Sequence, residues 1–361
     1  MSLDTPHMTA AETVAERQLT ICNACRYCEG YCAAFPAITR QRAFASADIT
    51  QIANLCHNCR GCHYACQYTE PHEFALNLPA ALAEVRRESW EHYAWPAAPA
   101  ALFQRHGWAT VVATVLGLAL LLGAVQTLGA AGGDGFYAVL SHGAMVAIFL
   151  PAFVMPLASI CTALRRYWRD VGGAPVRLSD LSQALRDAAA MRNLSGGHGE
   201  GCNFEDGARF SQARRYAHHA VMYGFLLCFA STSAGTVLHY VFDMPAPYPL
   251  WSLPKLFGIT GGVALTAGCL WIAYLNTRAD PTLGDVQAQS GARAFVALLG
   301  FVAASGLALY ALGQTVLMPT LLVLHLGAVL SFFLLSPYTK MAHGFYRLAA
   351  LVRDAQQRRG A

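Results

Sequence analysis

Charged residues are scarce in this chain. Asp, Glu, Lys and Arg make up 13% of its 361 residues, against 55% for the apolar types, where a soluble domain carries about 25% charge. An ordinary soluble globule is excluded on that ground. The first twenty residues lack the apolar core of a cleavable signal peptide. No G-x-G-x-x-G follows a strand pattern, and there is no P-loop, no Ser/His/Asp arrangement and no flavin motif, so no substrate-oxidising site is expected on this chain. The intramembrane carboxylates and broken helices of a secondary transporter are missing too. Net charge is only +4, and nucleic acid is not an expected partner.

The apolar residues are unevenly spread. Up to about residue 105 the sequence is polar enough for a soluble domain. A helical lead-in covers 1–20, a linking helix runs from about Arg40 to Asn54, and a further helix spans Leu78 to Tyr93. The Trp95–Pro96 to Pro99 segment breaks the pattern and marks a boundary. Trp90, Tyr93 and Trp95 suit a membrane–water interface. Beyond it, six windows reach the roughly 20 apolar residues that a transmembrane helix needs: 108–130, 136–164, 217–242, 253–276, 293–313 and 317–340. The 165–214 connection and the C-terminal tail hold most of the Lys and Arg, whereas the three opposite connections hold only Lys255. The positive-inside rule therefore places both termini and the 165–214 loop in the cytoplasm. The chain reads as mainly α: a two-cluster ferredoxin-like helical domain over 1–100, then a six-helix transmembrane bundle over 101–361.

Twelve cysteines are present, and eight of them form one pattern twice. Cys22, Cys25, Cys28 and Cys32 follow C-x2-C-x2-C-x3-C, and Cys56, Cys59, Cys62 and Cys66 repeat it. Two-residue gaps let three cysteines wrap three corners of an iron–sulfur cube. In two-cluster ferredoxins the fourth cysteine serves the other cluster. The spacing thus predicts one [4Fe–4S] cluster on Cys22, Cys25, Cys28 and Cys66, and a second on Cys56, Cys59, Cys62 and Cys32. No proline follows Cys32 or Cys66, where the bacterial run has one; this bears on the local turn and not on the ligands. Such thiols need a reducing compartment, which agrees with the orientation read from charge. Cys161, Cys228 and Cys269 read as small buried hydrophobes.

Histidines near the ends of the apolar windows are the remaining chemistry. Ionisable groups within spans are costly and functional by default, and a neutral imidazole is a good haem ligand. His142 and His239 fall at the outer ends of spans two and three, and His218 and His219 at the inner end of span three. His325 lies in the outer half of span six and His343 at its inner end. If span six is one helix, these last two stand five turns apart on one face, ~27 Å along the axis. Val221, Gly224, Cys228, Thr232 and Gly235 share the side of His218 and are small enough for a porphyrin to approach. The expected pairs are His218 with His343 inside, and His325 with His239 or His142 outside, for one or two haem b groups; His219 points elsewhere. The glycine-rich segment 194–206, LSGGHGEGCNFED, is expected to cap a cluster or haem edge, with His198 and Cys202 as a less favoured metal pair.

Taken with those cysteines and LSGGHGEGCNFED, the stretches RRYAHHAVMYGFLLCFASTSAGTVLHY and LHLGAVLSFFLLSPYTKMAHGFYR carry a resemblance to the citrate/tricarballylate utilisation protein B family over nearly the whole chain. The last stretch also resembles the final helix of nitrate reductase gamma subunits, which makes His325 and His343 the best haem ligands. The resemblance implies a membrane electron-transfer subunit in a bacterial inner membrane. A cytoplasmic flavoprotein dehydrogenase of tricarballylate type, carrying FAD on its own chain, would deliver electrons through two [4Fe–4S] clusters and haem b to quinone. The architecture also resembles the membrane half of a flavin-containing precorrin-3B synthase. A membrane redox sensor is the rival from another class, but no output domain is recognisable.

Overall fold

The computed structural model describes residues 8–128 and 139–360. The beginning of the lead-in and the window ends 129–130 and 136–138 lie outside these residues. Among the described residues the regular structure is helical, and no strand occurs beyond one isolated bridge between Cys202 and Ser211. Helix α1, Ala10–Cys25, starts at a capping box: the Thr9 hydroxyl accepts from the Glu12 N–H, and the Thr9 N–H donates to the Glu12 carboxylate. Each reciprocal bond satisfies a donor that the helix itself leaves free. The helix outruns the expected lead-in and carries Cys22 and Cys25 on its last turns.

The linking helix is shorter than predicted. Short α2, Phe35–Thr39, is separated by residues 40–45 from α3, Ser46–Leu55, which starts where Asp48 accepts from the Ala45 N–H. After α4, Gly61–Tyr64, comes α5, Leu78–Tyr93, capped by Asn77. Ala15, Leu19, Ile49, Ile52, Leu82 and Val85 are buried where α1, α3 and α5 meet. At roughly 1.5–3 kcal/mol per large apolar side chain, this small core is what holds the cysteine loops in place.

Six long apolar helices follow: α6 (Ala97–Leu128), α7 (His142–Asp170), α9 (Ala213–Val241), α10 (Leu253–Arg278), α11 (Val286–Leu312) and α12 (Met318–Leu335), with α8 (Leu178–Ala189) inside the long loop. Each is long and apolar enough to cross a membrane. Close backbone approach through small residues brings them together. A side chain on Gly224 of α9 would collide with the backbone of Leu265 and Gly261 on α10. Gly224 is therefore small for the sake of α10, not of a porphyrin. Gly107 against Gly291 and Gly327 against Ala119 do the same for α6 with α11 and α12.

Three expectations change. The predicted sixth span is not one helix: α12 stops at Leu335, and α13, Ala342–Gly360, starts after a turn. Pro337 lacks an N–H and its ring clashes with the preceding turn, so the helix ends before it. The five-turn alignment of His325 and His343 does not exist in this fold. Tyr93 is buried against Tyr167 of α7 and Tyr346 of α13, and Trp90 donates to Asn54 and stacks on Tyr346. Of the three expected interface aromatics, only Trp95 is exposed. Cys161 is exposed rather than buried.

Helix α13 is a clasp, not a loose tail. It packs on α3, α7 and α8. Gln51 donates to the Ala350 carbonyl, Arg40 pairs with Asp354, Arg358 with Asp187 and Asp354, and Arg359 with Asp180.

Candidate redox site

The two cysteine motifs are built alike. In each, the residue after the second cysteine is an arginine in the left-handed region: Arg26 at φ 55° and Arg60 at φ 71°. An arginine held there costs on the order of 1–3 kcal/mol and bends the chain back, so that flanking cysteines face a common centre. Both copies read Cys-Arg at this point, a signal that spacing alone does not weigh.

The fourth cysteines cross over. Cys66 lines one small cavity with Cys22, Cys25 and Cys28, and Gln67 reaches back to within 3.9 Å of the Cys25 sulfur. Cys32 has Cys59 and Cys56 as its strongest charged neighbours, and Cys62 has Cys32 as its first. Backbone N–H groups of Asn58 and Tyr68 point at the sulfurs of Cys56 and Cys66, at 3.4 and 3.3 Å. Burial, with neighbouring thiolates adding to it, pushes Cys22 up to about 12 and drives Cys32 and Cys62 well above the ordinary thiol range. Cys22, Cys32 and Cys62 therefore resist ionising, and a cationic iron body beside them is what would make them thiolates. Among the described residues no group of three or more His, Cys, Asp and Glu side chains is arranged for a single metal ion. A [4Fe–4S] core holds its four sulfurs around its whole breadth, and grouping into two sets of four is what it requires.

Segment 194–206 lies over both motifs. The Asn203 N–H donates to the Cys59 carbonyl at 2.9 Å, and Arg60 donates to the Phe204 carbonyl at 3.2 Å. Gly197 abuts the Gly30 carbonyl, where any side chain would collide. His198 and Cys202 do not converge. The His198 ring sits on Gly30, in the turn between Cys28 and Cys32. Cys202 is fully buried, its S–H 3.2 Å from the Leu194 carbonyl and its sulfur against Cys59. That contact holds Cys59 below, and Cys202 above, the usual thiol range.

Beneath the second motif lies a cavity of about 410 Å³. Its upper part carries Arg86, Arg214, Lys340 and Arg347; deeper in are Phe225, Phe295 and Leu299. His218 of α9 and His343 of α13 face each other across it, ring centres 5.7 Å apart. A metal bonded to two imidazoles at about 2.0–2.1 Å per bond separates the rings by roughly 6 Å. His343 donates its Nδ1–H to the Lys340 carbonyl, which leaves the Nε2 lone pair available. The His218 Nδ1 is buried without a partner. Burial, reinforced by Arg347 and His218, holds His343 well below the ordinary imidazole range and so neutral. Burial followed by Arg86, Arg214 and Arg347 pulls Lys340 down to about 7. Lys340 lines the cavity and keeps an exposed surface.

The other histidines are placed as follows. His142 and His239 meet at the opposite end of the bundle, ring centres 4.7 Å apart, with the His142 Nε2 2.8 Å from the Tyr240 hydroxyl. His325 donates its Nδ1–H to the Ser305 hydroxyl at 3.0 Å, whose own O–H donates to the Val302 carbonyl. Gly306 leaves room for that ring. His325 thus turns to Ser305 of α11, while His142 and His239 contact each other. His219 turns away to the Ala189 carbonyl at 3.2 Å.

Two family models match the chain: "Citrate utilization protein B Fer4-like domain" over residues 15–92 and "Citrate utilization protein B" over 95–361. A curated relative, Citrate utilization protein B of Escherichia coli, is 41% identical over 362 residues, covering 98% of this chain and 94% of the relative. No solved structure matches.

Proposed function

Because the chain belongs to the citrate utilization protein B family and carries its Fer4-like domain, we propose that it is the membrane electron-transfer subunit of a dehydrogenase system for a citrate-like carboxylate. In this reading a cytoplasmic flavoprotein, holding FAD on its own chain, gives electrons to two [4Fe–4S] clusters, and haem b passes them to quinone. The protein lies in the bacterial inner membrane with both termini cytoplasmic, an orientation supported by the arginine-rich 165–214 loop and tail.

One observation carries the reading. The Cys56 carbonyl accepts from Arg86 at 2.7 Å and from Arg347 at 3.1 Å. Arg347 is one turn along α13 from His343, which faces His218. The second cysteine set and the imidazole pair are thus linked through one hydrogen bond, the Arg347 side chain and one turn of α13. The first set lies farther out, beside Tyr27, which is 64% exposed. This supports an order from the first set to the second and then to the histidines.

When bound, the clusters and haem supply one-electron carriers. The chain's own residues do the rest. Eight thiolates hold the clusters, and the Asn58 and Tyr68 N–H groups stabilise charge on sulfur. Segment 194–206 covers the second set from water. The Lys340 carbonyl fixes the His343 tautomer.

The test is anaerobic redox titration of the purified protein with iron, sulfide and haem assays. About eight irons and at least one haem per chain are expected. Four irons, or none, would remove the two-cluster reading; absence of haem would remove the membrane carrier. A reporter placed between Met244 and Leu253 is expected to be active only outside the cell.

A further inference from the structure

The cavity below the second motif has an imbalance of charge. Seven cationic side chains line it against three carboxylates. Two of those acids are already paired: Asp187 with Arg192 and Arg358, and Asp285 with Arg87 of the same cavity. Arg86, Arg214, Lys340 and Arg347 take part in no ion pair among the described residues. The Nε of Arg347 is buried without any partner. The hydrogen bonds of Arg86, Arg214 and Arg347 go to the carbonyls of Ala53, Cys56 and Asn58, and Arg214 and Arg86 also lie over the rings of Phe204 and Trp90. Four cations gathered around one cavity, none of them ion-paired to a carboxylate, are unfavourable unless an anion joins them.

The imbalance is also polar in direction. Arg86, Arg214 and Arg347 bond to the 56–58 loop, and Phe225, Phe295 and Leu299 of α9 and α11 give the same cavity an aromatic and aliphatic wall, with His218 and His343 also lining it. A ligand that fits both parts is a flat apolar body with anionic groups along one edge. We propose that Arg86, Arg214, Lys340 and Arg347 form a carboxylate-binding floor, which holds the two propionates of a haem bound through His218 and His343. This rests on the haem reading above. It adds that the haem's acidic edge faces the second cysteine set, and that Lys340, whose ammonium makes no hydrogen bond in the structure, is kept for this ligand. An anionic phospholipid headgroup offers the same kind of charge from another source, and the test separates the two.

The full-length protein, prepared without haem in detergent, is titrated optically with haem b and with its dimethyl ester, which has the same ring but no carboxylates. Wild type should bind haem about tenfold or more tighter than the ester. Lys340→Met should lose most of that preference while ester affinity is retained, and Lys340→Arg should restore it. Ester binding doubles as the folding control; if Lys340→Met binds neither, Arg214→Gln is read in the same way. Equal affinity of wild type for haem and ester overturns the carboxylate floor and leaves the haem reading standing. Failure of wild type to bind either removes the haem reading, and this inference with it. Phospholipid that co-purifies with wild type and is lost in Lys340→Met, with the preference for haem unchanged, assigns the floor to lipid and overturns the proposal.

Discussion

Replacing Cys66 tests the crossed arrangement directly. By sequence it belongs to the second motif, but in space it closes the set of Cys22, Cys25 and Cys28. Cys66→Ala removes one of the four thiolates around that cavity and the sulfur that accepts the Tyr68 N–H. It leaves all four thiols of the other set, including Cys32, untouched. A four-iron body held by three ligands at a partly exposed site is readily lost, so iron should fall from about eight to about four per chain. Cys32→Ala should lose the other half. The assay is iron and sulfide content together with low-temperature spin resonance of the reduced protein. Cys66→Ala and Cys25→Ala should remove the same signal; Cys32→Ala and Cys59→Ala should remove the other. If Cys66→Ala and Cys59→Ala instead remove the same signal, each motif binds its own cluster and the crossed arrangement is refuted.

Three further outcomes are expected. His343→Ala should remove the haem nearest the clusters and stop flavoprotein-driven reduction of any carrier beyond it, whereas His325→Ala should leave that haem reducible; haem content and donor-driven reduction of each variant decide this, and full haem in both would make the histidines structural. Gly224→Leu should separate α9 from α10, because a Cβ there would stand 2.6 Å from the Leu265 nitrogen; a loss of about 1–3 kcal/mol or more is expected from overpacking, read as thermal unfolding in detergent. The Asp180 carboxyl, on which desolvation is outweighed by bonds from Arg359 and the Arg177 N–H, is held below its ordinary 3.8. A depressed carboxylate stabilises the fold above its unfolded pKa and ceases to do so as pH falls through the folded value, so α13 should become protease-sensitive below about pH 4, and Asp180→Asn should show that sensitivity at neutral pH.

The cysteine chemistry was legible because its geometry is local: gaps of two residues constrain the chain wherever it sits. The apolar helices were legible for the same reason, being continuous runs. What escaped depends on remote partners. Arg86, Arg214 and the pair Lys340 and Arg347 come from three separate stretches, and in the sequence most of them count only as charge on the inner side. Trp90 and Tyr93 looked like interface aromatics until Tyr167 and Tyr346 enclosed them. The break after Leu335 was legible in Pro337, but a hydropathy window averages over a single proline. His218 with His343 was expected from membrane depth and is adjacent in the fold, although the helical argument for the five-turn partner of His343 does not hold.

The clasp made by α13 has a consequence for how the protein is made. Arg347 and Cys56 are 291 positions apart, so ribosomal synthesis separates them by nearly the whole chain. The eight cysteines leave the ribosome first, and their small core of α1, α3 and α5 contains what it needs to fold. His343 and Arg347 arrive last, after every apolar helix has been inserted. A chain broken just before α13 would keep its cysteine motifs, Arg86, Arg214 and Lys340, but would have no His218 partner and no contact from α13 to the Cys56 carbonyl. Truncated copies would then lack the link from the second cysteine set to His343, which forms only when α13 closes over α3, α7 and α8.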